Sequence, residues 1–385
     1  MTSTFECHSE DTPRYVLNGS KLHERLALIK DRLGGLPLVF SMKANPFLIH
    51  LMDINDYSHI EVCSPGELAI CEDAGILPEK IIYSGVNKGA SDIMEALSIG
   101  SDILTIESLR QAEIINELGV NRGVRVLVRL TSGNQFGMDE DSLINLLQSR
   151  NKYPNLEFLG LHYYGGTQKS KLKSVEKDLS KINHALQRLA TEAQYSPAMI
   201  EYGPGLAADY FSEDPEKADI DLLQGSATLI LENAGSSGAK WSIEMGRFIA
   251  APAGRYETSV SDIKISDGIN YAILNGGIHH LNYYGQNMAM KVPPIRLNDS
   301  SASGDETTYT LCGSLCTVSD VLVREVKLPR LSIGDTLVFD KCGAYSMTEA
   351  PFLFLSRDLP SIWVDMDGKL KEIRPYFSSS KLNSF

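Results

Sequence analysis

Polar and ionisable residues recur at the ends of short apolar, β-branched runs in this sequence, which is where parallel strands present groups for chemistry. The ionisable residues are Lys43, Glu61, Glu107, Arg129, His162 and Glu244, and two glycines, Gly203 and Gly205, follow another of these runs. An amine beside carboxylates and an imidazole can act as a nucleophile and move protons. Each residue alone is more simply explained as a salt bridge or a rim residue, but the set together favours an active site.

Lys43 is the candidate nucleophile. It lies in Phe40-Ser-Met-Lys-Ala-Asn45, directly after an apolar strand that would draw its aliphatic stem inward. Burial removes water from an ammonium and lowers its pKa, so we expect an amine able to form a Schiff base, with pyridoxal phosphate as the natural carbonyl partner. The alternative is a lysine whose ammonium reaches back to solvent, and the local sequence alone favours that alternative.

Tyr202-Gly-Pro-Gly-Leu206 is a glycine turn directly after a predicted strand. Backbone N–H groups in such a turn can hold a phosphate. The alternative is a simple reversal of the chain, and Pro204 has no N–H to donate.

Eight short strands alternate with segments of helical periodicity over the first two-thirds of the chain. The predicted strands are Leu36–Ser41, His59–Cys63, Ile81–Ser84, Asp102–Ile106, Arg125–Leu130, Glu157–Tyr163, Met199–Tyr202 and Trp241–Glu244. The predicted helices are Lys21–Leu33, Gly66–Gly75, Ala90–Leu97, Ser108–Leu118 and Lys173–Ala193. This alternation predicts an α/β fold with a closed parallel (β/α)8 barrel, and an open doubly wound sheet is the alternative.

After about Gly254 the sequence becomes rich in short β segments. They are Tyr256–Ile265, Tyr271–Leu274, Val321–Val326, Thr336–Phe339 and a hairpin over Trp363–Ile373 with an Asp-Gly turn. Leu297 to Thr308 is predicted as a polar loop. We therefore divide the chain into residues 1–18, which pack with the C-terminal β domain, residues 19–254, which form the cofactor-binding barrel, and residues 255–385, which form the β domain.

Composition argues against several classes of protein. Lysine and arginine total 36 against 49 aspartates and glutamates, and the net charge of −13 disfavours a nucleic-acid partner. The six cysteines lack the density of a disulfide scaffold and the spacing of a zinc site, so we expect reduced thiols and no metal. The sequence has no signal-peptide pattern and no long apolar run, so we expect a cytoplasmic protein with no membrane partner.

Five motifs occur in the order and approximate spacing of the fold-type III pyridoxal-phosphate decarboxylases, the group of ornithine and diaminopimelate decarboxylases. They are Ser41-Met-Lys-Ala-Asn45, Leu161-His162 with Gly166-Thr-Gln168, Glu244-Met-Gly-Arg247, Cys316-x-x-x-Asp320 and Gly343-Ala-Tyr345. The chain therefore resembles this family over nearly its whole length. The resemblance implies a (β/α)8 TIM barrel of the alanine racemase kind followed by a C-terminal β-barrel domain.

The resemblance also implies a role for each matched residue. Lys43 would carry pyridoxal 5'-phosphate as a Schiff base, and His162 would stack on the cofactor ring. Glu244 would pair with the pyridinium nitrogen, so that the ring accepts electrons when the α-carboxylate leaves. The other cofactor-binding residues would be Glu61, Thr167, Gly203, Gly205, Gly246, Arg247 and Tyr345.

The remaining implied roles concern substrate and subunits. Cys316 would return a proton to Cα from the partner subunit of a homodimer with shared active sites. Arg129, Thr317 and Asp320 would bind the substrate. Racemases on the same barrel have an arginine where this chain has Glu244, which weakens the electron sink, so Glu244 favours decarboxylation over racemisation.

Thr317 departs from the family pattern. The ornithine and diaminopimelate enzymes have an acidic residue here, which helps receive the distal amine of the substrate, and a neutral hydroxyl cannot neutralise a buried ammonium. The lengthened segment His162–Gln168, Ser314 and the pair Glu244-Met245 also differ from the common forms. These departures are similar to the branch that acts on modified amino acids, including carrier-protein-bound or citryl-conjugated substrates in antibiotic and siderophore pathways.

Other functions stay open on the same fold. They are a diaminopimelate, ornithine or lysine decarboxylase of primary metabolism, an amino-acid racemase, and a non-catalytic regulator that binds decarboxylases. Such a regulator can dispense with Lys43 and Cys316, which are both present here. A small vitamin-carrier barrel is a further possibility, but such proteins have no β domain.

Overall fold

The computed structural model describes residues 12–53, 55–284, 289–298 and 305–384. The chain forms two compact units. The barrel unit comprises Arg25–Asp209 and Glu216–Phe248, and the sheet unit comprises Met1–Glu24, Tyr210–Pro215 and Ile249–Phe385. Our division at residues 18 and 254 treats the barrel as one continuous stretch of chain, and it stays a prediction.

After β1 (Arg14–Asn18), which belongs to the sheet unit, eight parallel strands close into a barrel. They are β2 (Leu38–Ser41), β3 (His59–Val62), β4 (Ile81–Tyr83), β5 (Ile103–Ile106), β6 (Val124–Leu130), β7 (Leu156–Tyr164), β8 (Met199–Gly203) and β9 (Lys240–Met245). Each strand pairs with the next, and β9 pairs with β2. The closed barrel is confirmed, and the open sheet is excluded.

Eight α-helices accompany the strands in the described residues. They are α1 (Gly19–Arg32), α2 (Pro65–Asp73), α3 (Ala90–Ile99), α4 (Leu109–Leu118), α5 (Glu140–Gln148), α6 (Leu172–Glu192), α7 (Pro215–Ser237) and α8 (Arg247–Ala250). Ser64 and Ser108 cap α2 and α4, because their hydroxyls accept the backbone N–H of the residue three positions later. The five predicted helices are present. The helices α5, α7 and the short α8 are not among the named segments, and α7 contains two glycines that weaken its helical signal.

The interior of the barrel is built in two layers. Val39, Ile82, Ile103 and Leu127 form a buried apolar cluster in the lower layer, with Met199 packed against it. Successive residues of a strand point to opposite faces, so the residue two positions later points inward again. Those residues are Ser41, Ser84, Thr105, Arg129 and Glu201, all buried. A polar layer therefore lies directly above an apolar one, towards the carboxyl ends of the strands.

The sheet unit contains one nine-stranded sheet. Besides β1 its strands are β10 (Gly254–Ser266), β11 (Ile269–Leu274), β12 (Ile295–Leu297), β13 (Glu306–Cys312), β14 (Val321–Pro329), β15 (Thr336–Phe339), β16 (Ser361–Met366) and β17 (Lys369–Arg374). The strand order is β14-β13-β11-β10-β1-β16-β17, and β15 pairs with both β10 and β12. The C-terminal part is therefore mostly sheet, and β1 lies between β10 and β16.

The predicted β segments are present, and the predicted hairpin turns at Asp367 and Gly368, which have φ angles of 53° and 83°. The predicted polar loop from Leu297 to Thr308 is wrong at both ends. Leu297 belongs to β12, and β13 already begins at Glu306. Residues 299–304 lie outside the described residues. The threonines favour a strand, and the neighbouring serines and glycine obscured that signal.

Within the described residues, no helix is long and apolar enough to cross a membrane. Cys63, Cys71, Cys312, Cys316 and Cys342 are free thiols. Cys7 lies outside the described residues.

Candidate active site

A cavity of about 530 Å³ lies at the carboxyl ends of the barrel strands. Its lining brings together five residues singled out from the sequence, namely Lys43, Glu61, Arg129, His162 and Glu244. The other lining residues are Cys63, Ser64, Pro65, Ser84, Val86, Asn87, Asp92, Phe136 and Tyr164. The cavity thus holds an amine, an imidazole, a guanidinium and carboxylates.

Lys43 lies in a short 3-10 turn, Met42–Ala44, directly after β2. Its Nζ donates a hydrogen bond to Glu61 Oε2 at 2.8 Å and lies 3.8 Å from Glu244 Oε1. Cys63 Sγ is 3.7 Å from the same nitrogen. The ammonium therefore lies between two carboxylates in the mouth of the barrel.

The pKa of Lys43 is raised well above its usual value, which contradicts our expectation that burial would lower it. Burial does favour the neutral amine, but the charges of Glu61, Cys63 and Glu244 outweigh that effect. The expectation was wrong because a lone strand-end lysine was considered without the carboxylates that the barrel brings to it. Lys43 is an ion-paired ammonium in this structure.

Ser41 links the two carboxylates. Its hydroxyl contacts Glu61 Oε2 and can donate to Glu244 Oε1 at 2.9 Å. Glu244 lies at the end of β9. Its other oxygen, Oε2, is 3.1 Å from His162 Nε2. All four side chains are buried or nearly so. Both oxygens of Glu244 are thereby fixed in position.

Glu244 is the ionised carboxylate of this group. Burial would raise its pKa, but Lys43, His162 and Ser41 lower the pKa well below the usual range. The negative charge therefore stays at the cavity wall at neutral pH. A cation or a protonated ring nitrogen placed there would be stabilised.

Glycines make room at the ends of β8 and β9. A Cβ at Gly203 would lie 2.6 Å from the Tyr164 ring, and a Cβ at Gly205, where φ is +59°, would lie 1.6 Å from the carbonyl oxygen of Gly166. A Cβ at Gly246 would lie closer to Ser41 than Cβ atoms usually lie to their neighbours. Only glycine lets these segments approach one another this closely.

The loops after β7 and β8 are tied together beside these glycines. Lys169 N donates to Gly205 O at 2.9 Å, and Ala207 N donates to Lys169 O at 3.0 Å. Gln168 accepts from Ala208 N and donates to Ala208 O. The neighbouring Thr167 is exposed in this paired segment. Its hydroxyl is therefore presented on a fixed loop.

Arg247 begins α8, directly after Gly246, and is largely buried. The strand-end placement predicted for Gly203 and Gly205 is present, Gly246 directly follows β9, and Thr167 lies on the adjoining loop. Their binding roles stay predictions.

Arg129 is engaged by its neighbours. Its guanidinium forms an ion pair with Glu107 Oε1 and lies over the Phe136 ring at 5.1 Å. The other oxygen of Glu107 accepts the backbone N–H of Gly137 at 3.2 Å. Phe136 and Gly137 thus help hold Arg129 at the cavity wall.

Lys88 is a buried cation beside the ion pair of Arg129 and Glu107. Its Nζ donates to the carbonyl oxygens of Ser84, at 3.1 Å, and Gly85. Burial, opposed by the charge of Glu107, lowers the pKa of Lys88 to about 8. Lys88 can therefore lose its proton near neutral pH.

Cys316, Thr317 and Asp320 lie in the turn between β13 and β14 of the sheet unit. Cys316 is exposed, and Val318 is 99% exposed. The Asp320 carboxylate accepts the backbone N–H groups of Ile278 at 2.8 Å and Leu315 at 2.7 Å. Its burial raises its pKa. Asp320 holds its own turn together, and its predicted substrate contact stays a prediction.

Tyr345 also lies in the sheet unit, with a left-handed φ of 65°. Its carbonyl accepts the N–H groups of Thr348 and Glu349. Its phosphate contact stays a prediction.

Sequence reasoning did not identify Ser41, Cys63, Tyr164, Lys88 or Glu201 as site residues. Ser41 and Glu201 could have been found from strand alternation, since each lies two positions beyond an inward apolar residue. Lys88 and Cys63 had no such signal.

Comparisons with known proteins identify relatives over most of the chain. The family model described as pyridoxal-dependent decarboxylase, pyridoxal binding domain, matches residues 19–251. The "L-glutamyl-[BtrI acyl-carrier protein] decarboxylase" of Niallia circulans is 28% identical, over 97% of this chain and 92% of the relative. The "2-[(L-alanin-3-ylcarbamoyl)methyl]-2-hydroxybutanedioate decarboxylase" of Staphylococcus aureus is 27% identical, over 84% and 86%.

A solved structure shows the same fold. The diaminopimelate decarboxylase from M. jannaschi matches with a TM-score of 0.86 at 19% identity, covering 96% of this chain and 91% of that chain.

The described residues fit pyridoxal phosphate. The cofactor carries an aldehyde, a basic ring nitrogen and a phosphate. The cavity offers the amine of Lys43 for the aldehyde and the ionised carboxylate of Glu244 for the ring nitrogen. These two chemical groups of the cofactor thus have complementary groups in the barrel unit.

Replacing Lys88 by methionine should change how stability depends on pH. The pKa of Lys88 is about 8 in the folded chain and about 10.5 in the unfolded chain, so the unfolded chain binds more protons between these values. Wild-type stability therefore rises with pH through this window and falls as pH drops through 8. We expect the wild type to gain up to about 1.4 kcal/mol per pH unit relative to Lys88→Met. Urea unfolding at constant salt measures this.

The control for Lys88→Met is Lys152→Met, which removes one positive charge from an exposed position. Parallel pH curves for the wild type and Lys88→Met would contradict the prediction.

Proposed function

The chain belongs to the pyridoxal-dependent decarboxylases, and from that premise we propose that it removes the α-carboxylate of an amino acid that is joined to a larger group. The observation that carries the chemistry is the position of Lys43 Nζ, 2.8 Å from Glu61 and 3.8 Å from Glu244 in the cavity. The enzyme is a pyridoxal-phosphate-dependent lyase whose substrates are amino acids or amino-acid conjugates.

The bound cofactor accepts the electron pair that remains when the bond from Cα to the carboxylate breaks. The protein must therefore hold the cofactor, align the bond that breaks and control the return of a proton. We assign these tasks to the residues that follow.

Lys43 supplies the amine to which the cofactor is attached. A nucleophilic amine must be uncharged, so the ammonium has to give up its proton first. Glu61 Oε2 accepts a hydrogen bond from Nζ and is the nearest base to receive that proton. Glu61 thereby both orients the lysine and takes part in its deprotonation.

Glu244 meets the ring nitrogen of the cofactor. Its ionised state supports this role, because a negative charge at this point keeps the nitrogen protonated. An amino-acid racemase is the less favoured candidate, since a carboxylate strengthens electron withdrawal where an arginine would weaken it.

His162 supplies a flat surface beside the ring, with its orientation fixed by Glu244. Thr167 and the backbone around Gly203, Gly205, Gly246 and Arg247 bind the phosphate, and Tyr345 contributes its hydroxyl. The paired loops after β7 and β8 support this assignment, because their backbone is held in place before the ligand arrives.

We propose that two copies of the chain complete each other's sites. Cys316 then returns the proton to Cα, which has lost carbon dioxide, and the thiol is an ordinary proton donor for such a step. Its exposure and that of the adjacent Val318 support contact with a partner. The five cysteines of the described residues are free thiols, which agrees with the predicted cytoplasmic location.

The proposal that the substrate is an amino-acid conjugate rests on two observations. Thr317 offers a neutral hydroxyl in a turn where basic-substrate enzymes carry an acid. The names of the Niallia and Staphylococcus relatives both describe an amino acid joined to a larger group. Arg129 is the cationic candidate for a substrate carboxylate, and Asp320 positions the turn.

Lys43→Ala should abolish the visible absorption band of the lysine-bound cofactor and the release of carbon dioxide. Lys80→Ala, a lysine outside the cavity, is the matched control and should keep both. A wild-type protein that binds no pyridoxal phosphate would overturn the proposed function.

Mixing two inactive variants should restore activity if the sites are shared between subunits. Lys43→Ala and Cys316→Ala each lack one required group, but a mixed dimer contains one intact site. After unfolding and refolding in equal amounts, about a quarter of wild-type activity should return. Sedimentation analysis should report a dimer. A fully active monomer would contradict the shared site.

Thr317 should set substrate preference. In a carbon dioxide release screen, citryl-linked or carrier-linked amino acids should turn over, and free ornithine, lysine and diaminopimelate should be poor substrates. Thr317→Asp should shift the ratio of kcat/KM towards lysine by about tenfold. Ser319→Asp is the matched control in the same turn. Efficient turnover of lysine by the wild type would refute this role and leave decarboxylation intact.

A further inference from the structure

Glu201 is a buried carboxyl group to which the proposed mechanism gives no role. It lies on β8, in the polar layer of the barrel, and its exposed fraction is 0%. Neither of its oxygens has a hydrogen-bond partner. Among the described residues, no other buried carboxylate lacks partners on both oxygens.

The neighbours of Glu201 are the residues of the active site. His162 is its partner in the register of β7 and Ser242 its partner on β9. Donor atoms of His162, Glu201 and Glu244 all lie within 4.8 Å of one another. Glu201 therefore lies close beneath the pair that faces the cofactor ring.

The cations near Glu201 are already engaged. Lys43 pairs with Glu61 and Glu244, and Arg129 pairs with Glu107. An ionised Glu201 would thus be a charge without water, a hydrogen bond or a cation. It would also lie beside the negative charge of Glu244, and two such carboxylates do not both ionise readily.

We propose that Glu201 is a positioning residue that keeps its proton, so that the single negative charge of this carboxyl pair stays on Glu244. The inference rests on the proposed function, in which Glu244 meets the ring nitrogen. Burial and the charges of Glu244 and Glu61 raise the pKa of Glu201 well above its usual value, against the weaker opposing effects of Lys43 and Arg129. The neighbouring His162 completes the set of titratable groups around it.

The first test follows the pH dependence of stability in the holoenzyme. An unfolded chain releases the Glu201 proton near its ordinary pKa, whereas the folded chain keeps it, so the wild type loses stability as pH rises. Glu201→Gln keeps the shape and cannot ionise. We expect the melting temperature of Glu201→Gln, relative to the wild type, to increase steadily from about pH 5 to about pH 8.

Two further variants serve as controls for this measurement. Glu201→Met, a second uncharged side chain, should show the same slope even if its melting temperature is lower throughout. Ser242→Ala alters the same layer without a titratable group and should run parallel to the wild type. A constant or decreasing difference for both Glu201 variants would overturn the inference, because it would mean that Glu201 is ionised in the folded chain.

The second test compares the two carboxyls through cofactor affinity. Glu201→Gln should change the Kd for pyridoxal phosphate by less than about twofold, because it replaces one uncharged group by another. Glu244→Gln should weaken binding by about tenfold, because it removes the one negative charge of the pair. A loss for Glu201→Gln as large as that for Glu244→Gln would overturn the inference, because it would mean that Glu201 carries the charge that meets the cofactor.

Metal analysis of the holoenzyme tests the alternative that Glu201 is a metal ligand. One equivalent of a divalent metal in the holoenzyme would overturn the inference, since His162, Glu201 and Glu244 would then be ligands and Glu201 would be charged. Failure of the proposed function is recognised separately, because the wild type would then show no cofactor band. A normal band with a flat melting difference refutes the Glu201 inference alone.

Discussion

The site depends on one ammonium held between two carboxylates. Lys43 Nζ lies near both Glu61 and Glu244, and the Ser41 hydroxyl joins the two acids from below. Two negative charges and one positive charge leave an excess of negative charge, which a protonated ring nitrogen can balance. The apolar layer beneath, formed by residues such as Val39 and Leu127, closes the polar layer from below.

The sequence allowed the barrel to be predicted because its strands are short β-branched runs separated by amphipathic helices. It also placed Lys43, Glu61, His162 and Glu244 at strand ends, and the structure brings these four into one cavity. The sign of the pKa shift of Lys43 was wrong, since that sign depends on distances across the barrel. The helix α7 was missed because its two glycines weaken the helical signal. Strand alternation could have placed Glu201 inside the barrel, but it could not show that neither oxygen has a hydrogen-bond partner.

The residues with proposed roles lie in both units. The barrel unit holds every residue that lines the cavity, and family membership rests on a match that covers nearly all of it. Thr317 and Cys316, which bear on substrate choice and proton return, lie in the sheet unit. The decarboxylase chemistry is thus shared with the family at large, whereas the substrate preference that we propose depends on a short turn outside the residues that the family model matches.

Asp320 fastens that turn through backbone N–H groups alone, at Ile278 and Leu315. Side chains at positions 317 to 319 take no part in that anchor, so they can vary while the path of the chain and the proposed proton donor Cys316 are kept. The turn is therefore suited to evolutionary exchange: new specificities can arise by replacing two or three adjacent residues, without loss of folding and without altering the machinery in the barrel.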